Sequence, residues 1–147
     1  MLATRASIGL LLSHGAGIAS KAGHGFTANG GDQTVSMFDL KTLAVIKQIK
    51  VAPGLDGIMY DEPDDMIILT NHSRPIGTLT AIDPKSGDIV ATVELEDTAP
   101  EGAAADGNGH IFVNHEGKHD SGDRGQDVES DRLMAARAVS RTDRHRV

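Results

Sequence analysis

The sequence contains no cysteine and no tryptophan, and its aromatic side chains are three phenylalanines and one tyrosine. Without thiols it can hold no disulfide, no thiolate metal site and no cysteine nucleophile. So few aromatics supply neither a base-stacking platform nor an aromatic sugar pocket. Long apolar runs are lacking too. The longest near the start, residues 8–12, is interrupted by Gly9 and falls far short of the roughly 20 residues of a membrane span. Only Arg5 precedes that run and no small-residue cleavage site lies at a sensible distance from it, so it is a poor signal-peptide core. Basic charge is also short: 14 Lys and Arg stand against 21 Asp and Glu, a net charge of -7. That balance argues against a general affinity for nucleic acid or anionic membrane.

What is present is a repeat. GFTANGGDQTVSMFDLKTLAVIKQIKVAPGLDGIMYDEPDD, starting at Gly25, is answered by MIILTNHSRPIGTLTAIDPKSGDIVATVELEDTAPEGAAADGNG, starting at Met66. A third copy opens at His110 as HIFVN. Asn29, Asn71 and Asn114 are read as equivalent, which gives a period of about 43 residues, in the range of propeller blades. Within each unit the order is a small-residue strand, an apolar strand, an alternating strand and a more charged outer strand. The predicted strands cover residues 15–20, 25–29, 34–40 and 45–51, then 57–61, 66–71, 78–83 and 89–95, then 102–106 and 110–114. Short strands separated by turn residues, with no helical periodicity before residue 120, predict an all-β fold. The gradient from small to charged residues fits a radial four-stranded meander whose innermost strand is crowded by its neighbours.

These units resemble the YVTN-type β-propeller repeats of bacterial YncE-like proteins. The elements that carry the resemblance are FTAN (26–29), ILTN (68–71) and IFVN (111–114). The turns Phe38-Asp39-Leu40-Lys41-Thr42 and Ile82-Asp83-Pro84-Lys85-Ser86, the outer strands 45–51 and 89–95, and the links 53–57 and 100–102 complete it. The resemblance covers residues 14–116. It implies a partial β-propeller of about two and a half four-stranded antiparallel blades, with units at 14–56, 57–101 and 102–116 after an irregular lead-in, 1–13. A possible outer strand at residues 8–12 belongs to that lead-in. It further implies a non-catalytic binding or scaffold protein, with a periplasmic or secreted full-length parent and a partner held at the rim or central channel. The alternative is a fragment of a propeller enzyme of the quinoprotein dehydrogenase or lactonase kind, which needs a convergent cofactor or metal site. Exposed blade faces in so short an array imply self-association.

Residues 117–147 leave the pattern. They carry seven Lys and Arg against six Asp and Glu, whereas residues 1–116 carry seven against 15. Few β-branched residues occur there, and the reading is a disordered or weakly helical tail, with its helical stretch at 128–139. A permitted choice of codons for residues 121–147, read one base forward, restores a strand, a turn and an outer strand. In that frame Met134-Ala135 must encode Trp. The expectation is a frameshift near Asp120; a natural basic tail is the plainer alternative.

Candidate site residues follow from weighing each motif. Asp39 and Asp83 each precede a Lys-Thr or Lys-Ser pair in a hairpin, where a carboxylate accepts backbone N–H bonds two or three residues on. They are read as turn caps. Asn29, Asn71 and Asn114 are read as bonding the backbone of the turns that follow them. The seven histidines show no metal-ligand spacing, DEPDD at 61–65 lacks a calcium-loop pattern, and Gly30-Gly31-Asp32 has no following lysine or helix to cradle phosphate. No cofactor, metal or catalytic constellation is therefore assigned. The asymmetric feature is the longer loop His72-Ser73-Arg74-Pro75-Ile76-Gly77. With Asp56 and Glu101 in the blade-to-blade links, His72 and Arg74 are the candidate ligand contacts, since loops at one rim carry binding while blades act as scaffold.

Overall fold

The computed structural model describes residues 12–95 and 99–115. It contains ten strands: β1 (Ser13–Ala19), β2 (His24–Asn29), β3 (Thr34–Asp39), β4 (Val45–Lys50), β5 (Leu55–Asp61), β6 (Met66–Asn71), β7 (Thr78–Ile82), β8 (Ile89–Glu94), β9 (Pro100–Ala105) and β10 (Ile111–His115). They pair as two antiparallel meanders, β1-β2-β3-β4 and β5-β6-β7-β8, followed by the two-stranded β9-β10. The all-β reading and its four-stranded units hold. β1, β5 and β9 each begin two residues earlier than the sequence reading predicts. Most of the proposed lead-in strand and the whole of 117–147 lie outside the described residues.

Alternation explains the packing. In blade one, Phe26, Ala28, Val35, Met37 and Ile49 project from one face, and blade two answers with Leu55, Ile67, Leu69 and Ile82 to form a single core. Ile58 and Tyr60 of β5 pack on the same core. Because successive side chains of a strand point to opposite faces, the other face of blade two is left with Met66, Ile68 and Leu79. These pack against Ile111, Ala103 and Val113 of β9-β10. β6 is buried at every position, Met66 to Asn71, as a strand covered on both faces must be. Polar ties cross from blade one to blade two at the periphery. Lys47 Nζ donates to Asp88 Oδ1 at 2.7 Å, Lys21 Nζ to the Glu62 carbonyl at 2.8 Å, and His24 Nδ1 lies 2.8 Å from the Pro84 carbonyl.

The hairpins between third and fourth strands repeat one device. Asp39 Oδ1 accepts from the backbone N–H groups of Lys41 (2.9 Å) and Thr42 (2.7 Å); Asp83 Oδ1 accepts from those of Lys85 (2.7 Å) and Ser86 (3.2 Å). The Thr42 backbone N–H, with the Thr42 hydroxyl and the Lys41 N–H, holds the Asp39 carboxyl below its ordinary 3.8. Each turn then closes on a left-handed residue, Leu43 at φ 60° and Gly87 at φ 68°. The difference is steric. A Cβ on Gly87 would press on Met37, Lys47 and Ile49 of blade one, whereas Leu43 is exposed.

Candidate rim site

The pairing registers show which positions of the three units correspond. Ser13 pairs with Asn29 and Gly15 with Ala28; Leu55 pairs with Asn71 and Gly57 with Thr70. One residue of the inner strand is skipped in each case, so His14 and Asp56 are the extra residues of equivalent β-bulges. In the third unit Ala103 pairs with Val113 and Pro100 with His115, which sets Glu101-Gly102 beside Asp56-Gly57 and His14-Gly15. Asp56 and Glu101 thus stand inside β5 and β9 rather than in the links where the sequence reading put them. A titratable residue followed by glycine occupies the second and third positions of all three inner strands.

The same registers correct the reading of the asparagines. Asn29 and Asn71 are equivalent, but the third unit sets His115 opposite Pro100 and moves Asn114 one position along. The letters of IFVN match ILTN, yet hydrogen-bonded register, which fixes the facing of every side chain, assigns Asn114 to the place of Thr70. The amide bonds also differ from a shared turn role. Asn29 Nδ2 donates to Ser36 Oγ at 2.8 Å and Thr34 Oγ1 at 3.2 Å. Asn71 Nδ2 donates to the Ala52 carbonyl at 2.9 Å. Asn114 Oδ1 accepts from the Gly102 N–H at 2.8 Å and its Nδ2 donates to Glu101 Oε2 at 3.3 Å. The first two amides are buried and must find partners where they lie, which is across the sheet or on the preceding link.

Around Asp56 the blades converge. His14 Nδ1 of blade one lies 3.2 Å from Asp56 Oδ1, and His72 Nε2 lies 3.4 Å from Asp56 Oδ2. One carboxylate therefore sits between two imidazoles, one from the neighbouring inner strand and one from the residue that follows Asn71. The local sequence makes room for this. Gly30 follows Asn29 as His72 follows Asn71, and a Cβ on Gly30 would strike the His14 ring. Gly54, at φ 78°, accepts from the His72 N–H at 2.7 Å and leaves no space for a side chain against the His72 carbonyl. Glu101 is attached one blade further on. Its carbonyl accepts from Thr70 Oγ1 and lies where a Cβ on Gly57 would be.

Of the residues singled out in the sequence, the structure joins Asp56 to His72. Glu101 occupies the equivalent bulge of the next unit, bonded to Asn114. Arg74 is exposed on the loop, and no hydrogen bond or ion pair among the described residues joins it to Asp56, His72 or Glu101. His14 was missed. Its signal was available in the His14-Gly15, Asp56-Gly57 and Glu101-Gly102 dipeptides, which align only once strand pairing sets the register. Among the described residues no group of three or more His, Asp or Glu side chains is arranged to hold a metal ion. No helix among them is long and apolar enough to cross a membrane.

No family model matches the sequence, and no curated protein matches it. Solved structures do. The chain superposes on the WD40 β-propeller domain of Doa1 with a TM-score of 0.53 and 18% identity, over 63% of this chain and 30% of that one. The chain is built of β-propeller blades. Hydrazine synthase of Kuenenia stuttgartiensis matches with a TM-score of 0.62 and 14% identity, over 80% of this chain and 33% of the other. Glutaminyl cyclase of Myxococcus xanthus matches at 0.51 and 12%, over 74% and 45%. The chain thus spans between about a third and a half of each of these structures. At such identities the likeness carries the fold, which serves scaffolds and enzymes alike.

Proposed function

We propose that this chain is a binding segment of a β-propeller of the YVTN, YncE-like type, non-catalytic, taking a partner or small ligand at the rim where the inner strands begin. The observation that carries the reading is the row His14, Asp56, Glu101. The repeated turn caps Asp39 and Asp83 are filled alike. The positions of the row instead carry an imidazole and two carboxylates of different reach, beside His72, on bulges that re-aim side chains. A site that differs from blade to blade suits recognition, while the repeated residues hold the scaffold.

A thermal-shift screen of small polar organic cations and anions against the full chain, repeated on Asp56→Ala, tests this. A compound that raises the melting temperature of the parent and not of the variant supports rim binding. Quinone-dependent dehydrogenase turnover by the parent, lost in Asp56→Ala, would establish the enzymatic alternative instead.

A further inference from the structure

Among the described residues, blade one and the β9-β10 unit each pack one face against blade two; on the opposite face blade one buries Gly25, Thr27, Ser36 and Phe38 of its central strands and exposes residues of β1 and β4. On blade one the packed face carries Phe26 and meets Ile58 and Tyr60 of blade two. Its opposite face carries Ala16 and Ile18, the register equivalents of Ile58 and Tyr60; Ile18 is 49% exposed and Val45, across the sheet from it, 45%. On β9-β10 the packed face carries Ile111 and Val113. The alternate residues, Ala104 and Phe112, face outward, and Phe112 is 54% exposed. By register Phe112 stands where Phe26 and Ile68 stand in the other blades, and both of those are covered by the next blade.

The exposed residues of these two opposite faces therefore stand at the places of the two halves of the interface that already joins blade one to blade two. We propose that they bind each other between molecules, head to tail, so that Phe112 of one copy covers Ala16 and Ile18 of a second copy of this chain. The charges agree with this occupant. Inside the chain the bulge residues of blades one and two meet as imidazole and carboxylate, His14 and Asp56. Continuing the same stacking across the molecular boundary sets Glu101 of one copy beside His14 of the next, again a carboxylate and an imidazole. The contact is heterologous: it uses two different surfaces, so each added copy presents a fresh open face, and growth stops only where the array closes on itself.

Sedimentation velocity of the full chain over a concentration series tests the proposal together with Ile18→Asp and Phe112→Asp. Both residues are exposed, and far-UV circular dichroism checks that each variant keeps its sheet. The parent should show species of twice the monomer mass and above, growing with concentration. Each variant alone should be a monomer, since every copy has lost one half of the interface. An equimolar mixture of the two should form a one-to-one dimer that does not grow. A parent that stays monomeric, an Ile18→Asp chain that still self-associates, or a folded mixture that stays monomeric overturns the proposal. Because the chain has no cysteine, Ile18→Cys mixed with Phe112→Cys gives a second readout. Mild oxidation should yield the 18–112 cross-linked heterodimer, and its absence counts against head-to-tail stacking even if the aspartate variants unfold.

Discussion

Blades one and two share strand order, register and turn capping, and differ in what fills equivalent places. Leu12 and Gly54 both accept the N–H of the residue after a strand-end asparagine, and both have positive φ, 54° and 78°. Leu43 and Gly87 close the same hairpin. Leucine stands in blade one and glycine in blade two. The backbone conformation alone asks for glycine at all four places; packing decides where it is obligatory. Gly54 has the His72 carbonyl behind it and Gly87 has blade one beside it, while Leu12 and Leu43 are exposed. A second contrast runs across the sheet face, where blade two sets Ile58, Leu69 and Ile67 and blade one sets Ala16, Thr27 and Gly25. The face packed on blade one is aliphatic apart from Tyr60, and the opposite face of blade one is small or polar except for Ile18, Phe38 and Val45.

Substitutions at equivalent places sharpen this difference. Leu69→Ala removes a fully buried side chain from the shared core and should cost about 3 kcal/mol in urea denaturation. Thr27→Ala, its buried polar counterpart on the far face of blade one, should cost about 1 kcal/mol. Near-equal losses would mean that the two faces are not differently covered. Gly54→Ala combines a positive φ with a collision against backbone, and about 2 kcal/mol is expected. At the matching place in blade one, Leu12→Ala should change stability by less than about 0.5 kcal/mol. A harmless Gly54→Ala would place the His72 carbonyl elsewhere.

Acid separates turn from core. The Asp39 carboxyl is held below 3.8 chiefly by the Thr42 N–H. Its charged form is thus favoured in the folded state, so its contribution is present above the unfolded value and is lost as pH falls through the folded one. Stability measured between about pH 5 and pH 2 should fall on acidification in the parent, and part of that fall should vanish in Asp39→Asn. An unchanged acid limb in the variant would show that the cap carries no charge-dependent stability.

Strands were legible in the sequence because period-two alternation and turn residues are local. The Asp39 and Asp83 turns were legible for the same reason, since donor and acceptor lie within three residues. The rim was read only in part. Asp56 and His72 stood out as polar residues at a link and a long loop, but His14 reaches Asp56 through the stacking of separate blades, which no local pattern encodes. Asn114 shows the opposite hazard. Matching letters suggested equivalence with Asn71, and the differently spaced pairing of β9 with β10 assigned that place to His115 instead.

Tyr60 reports the central claim, that blades one and two close over one shared core. It is the single tyrosine of the chain, it packs on that core, and its hydroxyl donates to Asp65 Oδ1 at 2.9 Å. Burial first, and then the bond and charge of Asp65, push its ionisation up to about 12. A neutral phenol is therefore favoured in the folded state; this contribution is intact below the ordinary 10.0 and is lost as pH rises through about 12. Spectrophotometric titration of tyrosinate in the folded chain should give a midpoint near 12, falling to about 10 in urea. A folded-state midpoint near 10, unchanged by urea, would contradict the shared core and with it the stacked-blade account.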